Sequence, residues 1–374
     1  MARRAAALAE VEALPEIDRL EGFPHPRDTA ELFGHEAAEQ EFAAAFAGGR
    51  MHHAWMLSGP AGIGKATLAY RVAKFALATP QERSAATDLA ISDKSIAAAQ
   101  VRALSHPGLA IVRRAYDTKT KRFPATIPVD SVRELKTFLG RTADEGAWRI
   151  VIVDSADELN LNAANALLKA LEEPPRRTIF LLVVAQPQRL LRTIRSRCRT
   201  LEMAALSPSD LRRAATGALT AADTPPPAEA DWRALESLAG GSVRRLLELS
   251  ATDGLSLYRR IEALFQALPR IDWQSAHALG EELGSAAADA RFTLFFDLLL
   301  GLIARLVRAA ASGEGSPDDM AMARKLIPAG RLASWAELWE TIVRDKAETL
   351  ALNLDRRMLI LDTLARVERT AEAA

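Results

Sequence analysis

Residues Gly59 to Thr67 read GPAGIGKAT, a run that could cradle phosphate. Glycines at 59, 62 and 64 let backbone N–H groups curl around phosphate oxygens, and Lys65 would reach the terminal phosphates as a point charge. The full pattern asks for Ser or Thr after the lysine, because that hydroxyl holds Mg²⁺. Ala66 stands there and has no oxygen to offer. Thr67 follows one residue later, about 100° around a helix, and so is expected to face elsewhere.

Hydrolysis would also need an Asp to orient Mg²⁺ and a neighbouring Glu to polarise the attacking water. Asp154 ends the apolar run RIVIV (149–153) and fits the first role, but Ser155 stands where the Glu would. Asp157 and Glu158 lie close by, yet a shift of three residues moves a side chain by several ångströms. The plainer reading of both is acid in the first turn of a helix. Arginines crowd the segment Arg195-Ser196-Arg197-Cys198-Arg199. Such a cluster suits either a solvated surface or a phosphate held by a neighbouring subunit, where a guanidinium is a strong rate lever.

Other reactive side chains point to less. His52 and His53 have no third ligand near them in sequence, so no metal site is expected. Cys198 is the single cysteine, which excludes an internal disulfide and a cysteine-built zinc site within one chain. It reads as a small buried residue, not a nucleophile, and a single cysteine fits a reducing, cytoplasmic setting.

The elements that must position these residues follow from apolar patterning. Residues 54–58 (AWMLS) form a short strand, the glycine-rich loop follows, and 66–78 has helical spacing at Leu68, Val72, Phe75 and Ala76. That is the strand–loop–helix context a phosphate loop requires. Further strands are expected at 109–113, 149–153, 178–184 (TIFLLVV) and 200–203. Helices are expected at 130–139 behind an Asp130 cap, at 162–172 before Pro174-Pro175, and briefly at 188–194. Continuous apolar runs suit strands buried on both faces, and their alternation with helices argues a parallel α/β sheet. No element is assigned to the polar, Ala-rich stretch 79–107.

After about residue 205 the strand-like runs stop. A proline-rich loop, DTPPPA (223–228), sits inside a small helical unit, and 251–255 marks a boundary. About five amphipathic helices follow, divided by SGEGSPDD at 312–319. Lys+Arg and Asp+Glu number 48 each, so the formal net charge is zero. Nucleic-acid contact would therefore need a local basic patch or partner subunits. No stretch approaches the ~20 apolar residues of a membrane span. Glu10, Glu12, Glu16 and Asp18 interrupt the Arg- and Ala-rich start, which argues against a signal peptide and for a frayed or partner-binding tail.

Four blocks carry a family resemblance: HHAWMLSGPAGIGKATLAYRVAKFAL (52–77), VDSVRELKTFL (129–139), RIVIVDSADELNLNAANALLKALEEPP (149–175) and LLRTIRSRC (190–198). They resemble the bacterial clamp-loader subunits of the AAA+ class, for which NALLKALEEPP and SRC are specific. The likeness is strong over about 30–250 and looser over the helical C-terminal third, where NLDRRMLILD (353–362) is similar to the family's last helix. Motor subunits of that family carry Ser or Thr after the loop lysine, and a DE pair. Ala66 and Ser155 depart from both, while Arg197 in SRC is kept, a combination that resembles the delta-prime type.

The resemblance implies that Arg197 is a finger completing the ATP site of an adjacent motor subunit. Gly241-Ser242-Val243-Arg244 resembles the family's second-sensor motif, whose Arg touches nucleotide phosphates. With Lys65 it leaves ATP or ADP binding without hydrolysis open. Many relatives carry a four-cysteine zinc module where 79–107 stands; no cysteine lies there, so no zinc is expected. The implied fold is α/β plus all-α: a tail (1–20), a P-loop NTPase-like base with a parallel sheet (21–205), a helical lid (206–252) and a helical collar for oligomerisation (253–374). The implied role is a hetero-oligomeric subunit of the DNA polymerase III clamp loader, a rigid stator without intrinsic ATPase. Its partners would be motor subunits and the delta subunit and, through the complex, the sliding clamp and primed DNA. The alternatives are an active ATPase using Thr67 with Asp157 or Glu158, and a nucleic-acid remodeller.

Overall fold

The computed structural model describes residues 14–373, leaving aside 30, 50, 85, 87, 141–146, 329 and the side chain of Ala286. The expected tail at 1–20 thus lies outside the described residues as far as 13. The strands are β1 (Ala54–Ser58), β2 (Leu109–Val112), β3 (Arg149–Val153), β4 (Thr178–Val184) and β5 (Arg199–Glu202). All pair in parallel, in the order β2-β3-β4-β1-β5. Helices of the first part of the chain are α1 (Glu36–Ala47), α2 (Lys65–Leu77), α3 (Pro80–Ser84), α4 (Ile96–Arg102), α5 (Val129–Gly140), α6 (Leu161–Glu172), α7 (Arg192–Arg195), α8 (Pro208–Ala221), α9 (Glu229–Ala239) and α10 (Val243–Ala251).

Side chains alternate between the two faces of a strand, and both faces are buried here. Ile179, Leu181 and Val183 of β4 join Trp55, Leu57, Leu68 and Val72 in one core. Phe180, Leu182 and Val184 join Val151, Val153, Leu167 and Ile194 in the other. Every residue of β4 is therefore buried, which accounts for its unbroken apolar run. Asn160 caps α6 by accepting the Ala163 N–H at 2.8 Å.

One stretch left without an element gains two helices, and one expected helix is corrected. The stretch 79–107 contains α3 and α4, and α4 buries Ala97, Ala98 and Val101 behind a Ser95 cap. Small alanines make that buried stripe, so apolar periodicity was faint. The helix expected at 188–194 is a 3₁₀ turn (Pro187–Arg189) followed by the single turn α7. Extended backbone at Leu190 and Leu191 separates the two.

The chain divides into a unit ending at Leu247 and a second, Glu248–Ala374, against an expected break between 252 and 253. The Arg244 N–H donates to the Gly62 carbonyl, which ties the first turn of α10 to the phosphate loop. The helices α8 and α9 belong to the first unit and pack through Leu211, Ala215, Trp232 and Leu235. The second unit holds α11 (Gly254–Ala267), α12 (Trp273–Leu283), α13 (Asp289–Ser312), α14 (Pro317–Leu326), α15 (Leu332–Leu352) and α16 (Arg356–Glu372). Phe292, Phe295, Phe296 and Leu299 of α13 form its buried centre with Trp335 and Leu364. The break at 312–319 is real: Gly313 ends α13 in the left-handed conformation and Ser316 caps α14. Among the described residues no helix is long and apolar enough to cross a membrane.

Candidate functional site

The loop between β1 and α2 is shaped by its glycines. Gly62 and Gly64 have φ of +75° and +109°, conformations that side chains resist. A Cβ on Gly62 would come within 2.3 Å of Ser242 Oγ, and one on Gly59 within 2.1 Å of the Met203 carbonyl. The loop is thus clasped between β5's exit and the start of α10. Lys65 is buried, and its Nζ donates to the Gly59 carbonyl at 2.7 Å and to that of Pro60. Burial pushes its pKa down to about 8 against the pull of Asp157 and Asp154.

A cavity of about 760 Å³ opens beside the loop. Ile17, Phe23, Phe33, Leu206, Ala218 and Val243 make an apolar wall, and Lys65, Asp154, Arg114 and Arg244 line its polar part. Ala66 lines it too. So does Thr67, which corrects the expectation that one step along the helix turns it away.

Asp154 ends β3, and its N–H donates to the Val112 carbonyl at 2.9 Å. Burial, and then the charge and hydrogen bond of Asp18, push its carboxyl upward. Ser155 follows with φ +59°, and a 3₁₀ turn spans Ala156–Glu158. The Asp157 carboxylate accepts the Gln186 N–H at 3.0 Å and the Ala185 N–H at 3.3 Å, which pins the chain after β4. Glu158 pairs with Arg114 at 2.7 Å. Both acids therefore hold structure, in a 3₁₀ turn and not at the start of an α-helix.

Sequence reading missed the strap that crosses this site. Residues 14–20, the described part of the expected tail, belong to the base. Asp18 pairs with Arg113 at 2.5 Å and with His25 at 2.9 Å, and His25 is fully buried. His25 Nδ1 accepts the Arg27 backbone N–H at 3.1 Å. Glu16 takes both arms of the Arg27 guanidinium at 2.8 Å and also pairs with Arg113. Arg244 Nη1 reaches the Asp18 carbonyl at 3.4 Å. Asp18 and Arg113 are 95 positions apart, and no local spacing signals such a pair.

This network gives a pH prediction. Burial alone would raise the Glu16 carboxyl, but Arg27 and Arg113 outweigh it and hold the pKa at about 2 against 4.5. The folded value is depressed, so the stabilisation is full above 4.5 and is lost as pH falls toward 2. Glu16→Gln is expected to flatten the fall in unfolding free energy across that window, read by urea titration at a series of pH values. An unchanged acid limb would contradict the pairing.

The remaining candidates lie elsewhere. Arg197, between α7 and β5, is not part of the cavity lining. Its guanidinium donates to the Thr193 carbonyl at 3.0 Å and pairs with Glu172 at 2.9 Å, with the side chain 38% exposed. His52 and His53 stack ring on ring at 4.6 Å, and burial pushes the His53 pKa down. Among the described residues no group of three or more His, Cys, Asp or Glu is placed to hold a metal. Burial pushes the Cys198 thiol up to about 12, far from thiolate chemistry at neutral pH.

A β2-β3-β4-β1-β5 parallel sheet, a phosphate loop after β1, an acid at the end of β3 and a helical segment carrying Arg244 define an AAA+ protein. The family profile described as "DNA polymerase III, delta subunit" matches residues 34–207. The chain is 31% identical to the Pseudomonas aeruginosa "DNA polymerase III subunit delta'" over 85% of its length and 92% of that protein's. It is 29% identical to the Escherichia coli protein of the same name, over 88% and 92% of the two chains. The Escherichia coli "DNA polymerase III subunit tau" is 27% identical over 79% of this chain but 46% of its own. The chain belongs to the family of DNA polymerase III delta-prime subunits.

Proposed function

We propose that this chain is a stator of the clamp loader, a subunit that helps place the sliding clamp on primed DNA without hydrolysing ATP itself. The observation that carries the reading is the state of the acids around an oxygen-free position 66. Asp157 is bound to backbone amides, Glu158 is bound to Arg114, and Ser155 stands where a water-activating Glu would be. Thr67 lines the cavity, but Asp157 and Glu158, the acids the alternative ATPase would use, are already engaged by backbone amides and by Arg114.

The donor set does not suit Mg²⁺. Ala66 lacks a hydroxyl, and the Asp154 carboxyl is hydrogen-bonded to Asp18. A nucleotide held without turnover suits it better: Lys65, Arg244 and the loop amides for its phosphates, the apolar wall for its base. Arg197, exposed and braced by Glu172, is suited to act on a nucleotide held by a neighbouring motor subunit. The helical second unit would serve as the collar that joins motor and delta subunits in a cytoplasmic hetero-oligomer.

A steady-state assay decides between stator and ATPase. The isolated chain is expected to show no Mg²⁺-dependent ATP turnover above that of the Lys65→Ala variant. Turnover that Lys65→Ala abolishes would overturn the stator reading.

A further inference from the structure

Beyond the carboxyl end of edge strand β2 the chain makes a short hairpin that the site does not use. Asp117 and Arg122 form an antiparallel bridge, with the Asp117 N–H donating to the Arg122 carbonyl at 3.0 Å. Below it the rings of Tyr116 and Phe123 meet edge to face at 5.2 Å and brace the two arms. The Asp117 carboxylate accepts the N–H groups of Lys119 and Thr120, at 2.8 and 3.3 Å, and is folded into its own turn. The tip, residues 117–122 (DTKTKR), is exposed throughout. Among the described residues none of Lys119, Lys121 and Arg122 has an ion-pair partner.

We propose that this hairpin is a contact for the phosphate backbone of nucleic acid. Three cations stand against one carboxylate that is already satisfied, in a chain whose formal charge is zero overall. The excess is therefore local, which is what a chain without a basic bulk needs to meet a polyanion. The tip has no apolar side chain, whereas protein interfaces bury an apolar centre and are depleted in lysine. Lys, Arg and Thr donors on a braced loop match the contacts that position a nucleic-acid backbone without reading its sequence. The inference rests on the clamp-loader reading only for the source of the nucleic acid, primed DNA.

The test uses the reconstituted clamp loader carrying Lys119→Gln, Lys121→Gln and Arg122→Gln together. Primed-DNA affinity is expected to fall about tenfold or more near 0.1 M salt, and the log–log salt slope to become shallower by up to about 2.7, three phosphates' worth. Unchanged affinity and slope overturn the proposal. So does unchanged DNA binding with weakened assembly or clamp binding, which would mark an acidic protein surface as the occupant. Should the wild-type chain not assemble with motor subunits, the stator reading fails, and the hairpin is read on the full chain alone by lysine acylation with primed DNA. Protection of Lys119 and Lys121 relative to exposed Lys94 supports the contact, and equal reactivity refutes it.

Discussion

Arg197→Ala is expected to leave assembly of the clamp loader intact while cutting ATP hydrolysis at the neighbouring motor site by about 10³-fold. The guanidinium is held by Glu172 at 2.9 Å and by the Thr193 carbonyl, so its loss removes no buried contact of this chain. An exposed ion pair of this kind contributes about 1 kcal/mol at most to folding. Activity and stability therefore separate. Single-turnover hydrolysis by the assembled complex reads the activity, and the melting temperature of the isolated subunit reads the stability. Arg197→Lys is the informative companion, since an ammonium keeps the charge but not the planar fork. Hydrolysis unchanged in both variants would remove Arg197 from the motor site.

Arg113→Ala is expected to cost about 3 kcal/mol of folding stability, the size found when one partner of a buried ion pair is removed. Arg113 joins Glu16 to Asp18, and Asp18 in turn meets His25 and Asp154. Without the guanidinium, Asp18 and Glu16 each lose a positive neighbour, which leaves Asp18 to His25 and Glu16 to Arg27. The paired variant Arg113→Met with Asp18→Asn removes the unbalanced charge and is expected to recover much of the loss. Urea unfolding read by hydrogen exchange in β1, β3 and β4 isolates this unit from the helical one. A loss as large in the paired variant as in Arg113→Ala would show that packing of the arginine, not charge balance, holds the strap.

Much of the first unit was legible because buried parallel strands leave continuous apolar runs. The runs at 54–58, 149–153 and 178–184 coincide with β1, β3 and β4. Loop and helix followed from glycines whose backbone angles the structure requires at Gly62 and Gly64. The α4 helix was not legible, since alanines bury a stripe without an apolar signal. The 3₁₀ turn at Asp157 was missed for a different reason. Acid in the first turn of an α-helix and acid capping a distant strand end look the same until the Ala185 and Gln186 amides arrive.

What the sequence determined by itself was chemical identity at fixed positions: no side-chain oxygen at Ala66, no carboxylate at Ser155, an arginine at Arg197, and the family to which such a set belongs. What only the tertiary structure decided was which charges meet. The Asp18–His25 segment, Arg113, Asp154 and Arg244 come from four separate stretches of chain, and nothing in their local spacing links them. Their encounter depends on long-range packing of the strap across the sheet's carboxyl edge. There low dielectric makes each neighbour count. The phosphate loop that the sequence announces is therefore closed by residues it does not.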